Sequence, residues 1–240
     1  MPLPEANNPI QRPSIREEVY TKLLTWIMEG TLSSGEKIVD KDLASHMGVS
    51  RTPVREALRR LEDKGLVESA ANRWTRISRI PPEEPEMVYP IVQTLEKLAL
   101  SAAASSLTAM DFKKMSQANA RLKTALKNLD SLEAAAADDQ FHAIFIQRSG
   151  NTHLIDILEG LKIKCRRLEV HFFRELVPNG LSLAQSSIQE HTALVEALKA
   201  QNLSRAEQIL HLNWEKSRER FRMAVQESAM ETDNKGNSDD

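Results

Sequence analysis

The chain of 240 residues contains one cysteine, Cys165, few aromatic residues and no long apolar run. A single cysteine excludes a disulfide within the chain and fits a reducing compartment. A membrane-spanning helix needs about 20 consecutive apolar residues, and no segment approaches that length. The polar start, MPLPEANNPIQRPS, does not have the pattern of a signal peptide. These absences predict a cytoplasmic protein without a membrane partner.

Composition indicates the fold class. Aromatic residues make up only 5% of the chain, whereas Ala, Leu, Glu, Lys and Arg are plentiful. Hydrophobic residues account for 41% and charged residues for 28%, as in ordinary globular proteins. We therefore expect a mainly α-helical protein, long enough for two domains.

Charge is distributed unevenly along a chain whose formal net charge is −2. Residues 50–80 hold eight basic and four acidic side chains, and five of the basic ones lie between Arg51 and Lys64. This local excess favours a small module that binds a polyanion such as nucleic acid. A solvated, charged helix face is the alternative that composition alone leaves open.

The first 80 residues have the pattern of three helices followed by a β-hairpin. Ser14 and Glu17 have the spacing of a capping box that begins the first helix. A short second helix, capped by Asp40, and a third helix that begins near Ser50 are separated by a turn at Gly48. Two short helices joined by a glycine-containing turn indicate a helix-turn-helix, whose second helix enters the major groove of DNA.

The stretch GEKIVDKDLASHMGVSRTPVREALRRLEDKGLV resembles the winged helix-turn-helix of GntR-family transcription regulators, and VSRTPVREAL is a near-complete family signature. The resemblance covers about residues 14–80. It implies DNA contacts at Lys41, Ser50, Arg51, Thr52 and Arg55, and at Arg73 in the tip of the wing. Arg59, Arg60 and Lys64 lie further along the same helix, and either touch flanking phosphates or are solvated.

The wing departs from the family at one position. Family wings usually carry a glycine after the Asn-Arg pair, where this chain has Trp74. The indole either alters the contact of the wing with the minor groove or packs back onto the domain.

After a proline-rich acidic break, the rest of the sequence predicts helices only. Six are expected, at about 85–105, 108–128, 130–149, 151–175, 183–200 and 203–225. The predicted organisation is a disordered arm (1–13), a winged helix-turn-helix (14–80), a linker (81–86), an all-helical domain (87–225) and a disordered tail (226–240).

The helical region resembles the FCD effector domain of the FadR branch of the same family, over about residues 84–222. DDQFHAIFIQRSGN (138–151) and QEHTALVEALKAQNLSRAEQILHLN (189–213) carry the resemblance. It implies a homodimer whose helical domains bind a small carboxylate metabolite. Binding would change the affinity of the two DNA-binding heads for a palindromic operator, in most relatives by releasing a repressor.

Three residues suggest a metal site. Asp138 and His142 are four residues apart on one predicted helix and so share a face, and His191 lies on another helix. Carboxylate and imidazole donors suit first-row metals. The resemblance implies one divalent metal (Zn, Ni or Mn) on these three residues and a fourth. Asn213 stands where the family has that fourth ligand, a histidine.

Alternatives to this interpretation remain at the sequence level. A metal-free cavity, in which Asp138 and His142 form a salt link, would leave only a helical dimerisation scaffold on a DNA-binding head.

Val92 replaces an arginine that faces the effector cavity in many relatives. Effector contacts remain unknown, with candidates on one predicted helix at Arg166, Arg167, His171 and Arg174. We expect no enzyme, because no nucleophile elbow or phosphate-binding loop accompanies the metal set.

Overall fold

The computed structural model describes residues 14–70, 73–175 and 177–236, without the side chains of 172–184 and 223–236. The chain divides into two units between Arg79 and Ile80. The arm predicted at 1–13 and residues 237–240 of the predicted tail lie outside the described residues. No described helix combines the length and the apolar character that a membrane span requires.

The first unit contains three helices and a small antiparallel sheet. Its elements are α1 (Ile15–Glu29), β1 (Lys37–Ile38), α2 (Asp40–Met47), α3 (Arg51–Asp63), β2 (Val67–Ala70) and β3 (Trp74–Ile77). The strand order is β1-β3-β2, so the predicted hairpin forms β2 and β3. The edge strand β1 was not predicted, because two residues are too few to show an alternating pattern.

Local signals set the boundaries of these helices. The Ser14 side chain accepts a hydrogen bond from the Glu17 backbone N–H, which is one half of the predicted capping box. Gly48 ends α2 at a φ of 68°, a left-handed conformation that glycine adopts without strain. The turn lets α2 pack against α3 over a core that includes the fully buried Leu23, Val54 and Leu61.

The second unit is entirely helical in its described part. Its elements are α4 (Glu84–Ala103), α5 (Ala109–Lys127), α6 (Ser131–Arg148), α7 (Thr152–Glu175), α8 (Val177–Lys199) and α9 (Leu203–Gly236). The mainly α-helical architecture, with about six helices after the winged head, is thus confirmed. Helix α4 begins inside the linker expected at 81–86, and α9 continues past 225, into the predicted tail.

The core of the second unit surrounds α4, which packs against α6, α7 and α9. Helix α5 packs against α6 and α8. On α4, Val88, Val92, Ala99 and Ala103 recur at helical spacing and are buried. Glu96 lies on the same face and has no exposed surface, so α4 carries a carboxylate into the core.

A complete capping box begins α5. The Thr108 side chain accepts a hydrogen bond from the Asp111 N–H, and Asp111 accepts one from the Thr108 N–H. The Thr108 hydroxyl also donates to Asp111 over 2.6 Å, and Arg148 lies 2.9 Å from the same carboxylate. The hydrogen bond from the Thr108 hydroxyl is the main cause that lowers the pKa of Asp111 to about 2, although burial opposes the shift.

We predict that Asp111→Asn lowers the free energy of unfolding of the second unit by about 1–2 kcal/mol at pH 7. The native pKa of Asp111 lies below that of the unfolded chain, so its contribution is complete above about pH 4. It is lost as the pH falls towards the native pKa of about 2. Denaturant unfolding followed by circular dichroism, repeated across this range, should show the difference between wild type and variant shrinking with acid.

The matched control is Glu133→Gln, which removes the charge of an exposed carboxylate paired with Arg121. An exposed pair of this kind contributes under about 1 kcal/mol. A gap between Asp111→Asn and wild type that persists undiminished to pH 2 would contradict the assignment.

Candidate nucleic-acid interface and candidate metal centre

Helix α3 buries one face and exposes three arginines on another. Its buried residues are Pro53, Val54, Ala57, Leu58 and Leu61. Arg51, Arg55 and Arg59 are exposed at every fourth position and form one stripe, called here the reading stripe. Ser50 is the N-cap residue and makes no side-chain capping bond. The first-turn N–H groups of α3 therefore remain suited to an anion such as phosphate.

The structure separates the basic residues that the sequence left undecided. Arg59 belongs to the reading stripe. Arg60 faces α1 instead, where its guanidinium lies 3.8 Å from the centre of the Tyr20 ring and donates to Glu17 over 2.8 Å. The hydrogen bond from Arg60 lowers the pKa of Glu17. Lys64 is half-buried at the C-cap of α3. Arg60 thus ties α3 to α1.

Asp40 does not cap α2 as expected, since the N-cap residue is Val39 and Asp40 is the first residue of the helix. Its carboxylate instead accepts hydrogen bonds from Arg51 over 2.9 and 3.0 Å and from Arg55 over 2.5 Å. The bond from Arg55 is the largest of the causes that lower the pKa of Asp40, and Arg51 adds to it. One carboxylate therefore holds the first two arginines of the reading stripe.

The hairpin carries the other predicted contact. Arg73 is exposed, and its backbone N–H donates to the Ala70 carbonyl in the turn. Trp74 is half-buried, and the Arg76 guanidinium lies 4.3 Å from the centre of its ring. Arg76 also pairs with Glu68 across the strands. The indole therefore packs on its own sheet, at the edge of an open groove of about 580 Å³ that Arg55, Arg59 and Arg73 also line.

In the second unit, the three predicted metal ligands converge. One donor atom from each of Asp138, His142 and His191 lies within 4.8 Å of the other two. His142 Nε2 is 3.9 Å from Asp138, and His191 Nε2 is 3.6 Å from it. Both histidines are buried, and neither Nε2 atom has a hydrogen-bond partner among the described residues. Two buried, unpartnered nitrogens that face one carboxylate fit a metal ion.

The other nitrogen of His142 shows which form the ring adopts. Nδ1 lies 2.6 Å from Glu96, which also accepts from the Trp214 indole over 2.8 Å. Burial raises the pKa of Glu96, but the His142 and Lys162 charges and these hydrogen bonds outweigh it and lower the value to about 2. An ionised Glu96 can only accept a hydrogen bond, so Nδ1 is the donor in this contact, and Nε2 is the ring nitrogen nearer to Asp138.

His191 is fixed in the same way. Its Nδ1 lies 3.2 Å from Asn119 Oδ1, and Asn119 donates its own amide hydrogens to Ile188 and Thr192. The amide oxygen therefore faces the ring, and Nδ1 must be the donor. Burial, with the charges of His142 and Arg220, lowers the pKa of His191 well below its usual value. His191 is thus neutral near pH 7, with Nε2 free to bind a metal.

The fourth predicted position, Asn213, is hydrogen-bonded to a neighbouring carboxylate. Asn213 is buried, and its Nδ2 donates to Glu190 over 2.9 Å. Glu190 also accepts from Lys216 over 2.6 Å. A cluster of convergent carboxylate and imidazole donors holds the other three predicted positions. Val92, where many relatives have arginine, is completely buried.

Sequence reasoning missed the residues that support the centre. Lys162 lies 3.1 Å from Glu96 and 3.2 Å from Asp139, and it links α7 to α4 and α6. A signal was available, because Glu96 and Lys162 lie at positions that continue the apolar spacing of their helices. Asn119 likewise lies four residues after the buried Met115. A polar residue on an apolar face marks a buried polar network.

The proposed effector-contact residues of α7 are only partly described. Arg166 and Arg167 are half-buried, and Arg166 Nε has no hydrogen-bond partner among the described atoms. His171 is exposed. The side chain of Arg174 lies outside the described residues.

Comparison with known proteins places both units. Residues 15–77 match the model of bacterial regulatory proteins of the gntR family, and residues 87–215 match the FCD domain. These ranges contain, respectively, the reading stripe with the hairpin and the three convergent metal donors.

Two relatives align with most of the chain. The chain is 28% identical to the uncharacterised HTH-type transcriptional regulator YdhC of Bacillus subtilis over 82% of this chain and 87% of that protein. It is 26% identical to a probable D-xylose utilisation operon transcriptional repressor of Paenarthrobacter nicotinovorans, over 84% and 86%.

The structure of Escherichia coli McbR/YncC has the same fold, with a TM-score of 0.76 at 22% identity over 90% of this chain and 100% of that chain. The FCD match alone spans more than half of the 240 residues. The chain therefore belongs to the GntR family of bacterial transcription regulators, with an FCD domain as its second unit.

Proposed function

We propose that the protein binds operator DNA through its first unit and represses transcription until a small organic acid binds the second. The reading stripe is the observation that carries the DNA-binding part, because it joins exposed arginines to an uncapped helix amino-terminus. One relative is named as a probable repressor of a D-xylose utilisation operon, which supports repression rather than activation. Such a protein acts in the cytoplasm, on the chromosome.

We assign the DNA contacts to exposed residues at the start of α2, at the start of α3 and in the hairpin, namely Lys41, Ser50, Arg51, Thr52, Arg55 and Arg73. The first turns of α3 would enter the major groove, where arginine forks recognise guanine edges. Two copies related by a two-fold axis would read the two halves of a palindromic operator.

The second unit would hold one divalent cation, Zn²⁺, Ni²⁺ or Mn²⁺, on Asp138, His142 and His191. The convergence of two buried Nε2 atoms on Asp138, neither with a hydrogen-bond partner among the described residues, supports this assignment over a metal-free cavity. When bound, the cation supplies a positive centre for a carboxylate. Glu96 and Asn119 fix the two rings for it.

Regulation then requires only that the effector bind one arrangement of the dimer more tightly than another. The difference in affinity sets how far operator binding can change, and operator and effector influence each other equally. We assign no catalytic role to the second unit, because it matches the FCD domain and the relatives of the chain are named as transcription regulators.

We predict that Arg51→Ala and Arg55→Ala each weaken binding to a selected operator duplex by about 1–3 kcal/mol, because each removes a guanidinium fork. The duplex is enriched from a random library by the full-length wild-type protein, and affinity is read by fluorescence anisotropy at fixed salt. Arg60→Ala is the matched control on the same helix, since that side chain faces Tyr20 and Glu17. Equal losses for all three arginines would refute the assigned face.

We predict that the double variant His142→Ala, His191→Ala loses bound metal after loading and desalting, as measured by elemental analysis. Glu96→Gln should weaken metal binding by about 10–100-fold, because it removes the carboxylate that orients His142. His211→Ala is the control: this histidine is exposed and bonded to Gln93. Metal retained at full stoichiometry in the double variant would disprove the centre.

We predict that a small carboxylate raises the melting temperature in the presence of Zn²⁺, Ni²⁺ or Mn²⁺ and does so less without metal. Ligand at about 100 times its dissociation constant stabilises the native state by about 2.7 kcal/mol. The double histidine variant serves as the metal-free reference. A helical dimerisation scaffold would give no shift with any metal or acid, and that outcome would end the effector hypothesis while leaving DNA binding intact.

A further inference from the structure

Asp40 forms hydrogen bonds with defined nitrogen atoms of two arginines of the reading stripe. The Nη2 group of Arg51 donates hydrogen bonds to both carboxylate oxygens, and the Nε–H group of Arg55 donates to one of them. The side chains of the arginines are 52% and 66% exposed, whereas that of Asp40 is only 18% exposed. The carboxylate is thus much less exposed than the two arginine side chains that donate to it, and both arginines remain accessible to a ligand.

Helix capping and ordinary surface pairing do not explain this arrangement. Val39 takes the N-cap position, and Asp40 adds only a favourable charge at the first turn of α2. Exposed ion pairs contribute little to stability, because water and salt screen them. The lowered pKa of Asp40, caused mainly by the hydrogen bond from Arg55, keeps the carboxylate ionised near neutral pH.

The ionised carboxylate has two opposite effects on DNA binding by the two arginines. It reduces the charge of the three-residue cluster from +2 to about +1, and so weakens attraction to any phosphate backbone, which depends on charge alone. It also fixes the planes of both guanidinium groups before DNA arrives. Recognition of a base edge depends on a fixed, forked guanidinium geometry. The carboxylate therefore favours recognition of bases while it weakens attraction to the phosphate backbone.

We propose that Asp40 is a positioning residue that sets sequence specificity, by orienting Arg51 and Arg55 for base edges and by opposing indiscriminate binding to phosphates. The inference rests on the proposed DNA-binding function and adds a residue that makes no attractive contact with phosphate itself. The expected partner of the assembled cluster is the edge of a base pair in the major groove.

Asp40→Asn tests the inference in the full-length protein. Two duplexes of equal length are used, one enriched by the wild type from a random library and one with the same composition scrambled. The ratio of the two affinities should fall about tenfold, a typical value for one bidentate base contact. Binding to the scrambled duplex should tighten, and the slope of log affinity against log salt should steepen by up to about 0.9.

Glu17→Gln is the matched control, because it also removes one negative charge from an arginine-paired carboxylate of the first unit. Arg60, the arginine that this variant releases, lies outside the reading stripe. Asp40→Glu keeps the charge with a longer side chain, so it should preserve the salt slope and lose part of the affinity ratio. It also keeps the test valid if Asp40→Asn does not fold.

The experiment distinguishes failure of the proposed role of Asp40 from failure of the proposed DNA-binding function. An unchanged ratio in folded Asp40→Asn, or an equal fall in Glu17→Gln, overturns the role of Asp40 while leaving DNA binding established. A lower melting temperature with an unchanged ratio shows a purely structural residue and also overturns it. A wild-type protein that enriches no sequence removes the proposed function and this inference with it.

Discussion

The buried carboxylate of Glu96 is the constraint around which the second unit is organised. It has no exposed surface, yet it is ionised, so every neighbour must compensate its charge or satisfy its oxygens. Lys162, His142 and the Trp214 indole do so from three different helices. Removing one partner of a buried pair typically costs about 3–5 kcal/mol. The same charge also selects the tautomer of His142, so packing and ligand chemistry cannot be varied independently.

The first unit uses carboxylates in another way. Glu17 and Asp40 are both paired with arginines of α3, but the first pair joins α3 to α1 and the second lies on the face turned to solvent. Because exposed pairs are weak, the fold of this unit depends on its apolar residues, such as Leu23, Val54 and Leu61. Its surface charges are therefore not required for stability and are available for contacts with a ligand. The two units thus place paired charges in environments that give them different tasks.

The sequence predicted the architecture well because helical spacing, glycine stops and the helix-turn-helix turn are local signals. Every helix of the described part was expected, whereas β1 and the continuation of α9 were not, since two-residue strands and helix ends depend on distant partners. Spacing also brought Asp138 and His142 together on one face. It could not show that Glu96, Asn119 and Lys162 surround the candidate centre, because those contacts join residues 46 to 72 positions apart in the chain. The pairing of Asp40 with Arg51 and Arg55 was also missed, because it joins side chains of two different helices.

The Trp214 indole has a consequence beyond its hydrogen bond. The chain has three tryptophans, of which Trp26 and Trp74 belong to the first unit, so Trp214 is the only one in the second. Its ring lies 5.6 Å from that of His142 and shares the Glu96 carboxylate with it. Any event that alters the charge or position of His142 therefore alters the electric field on one indole. The candidate metal centre therefore has an intrinsic fluorophore beside it, whose emission would report the binding of a metal without an added label.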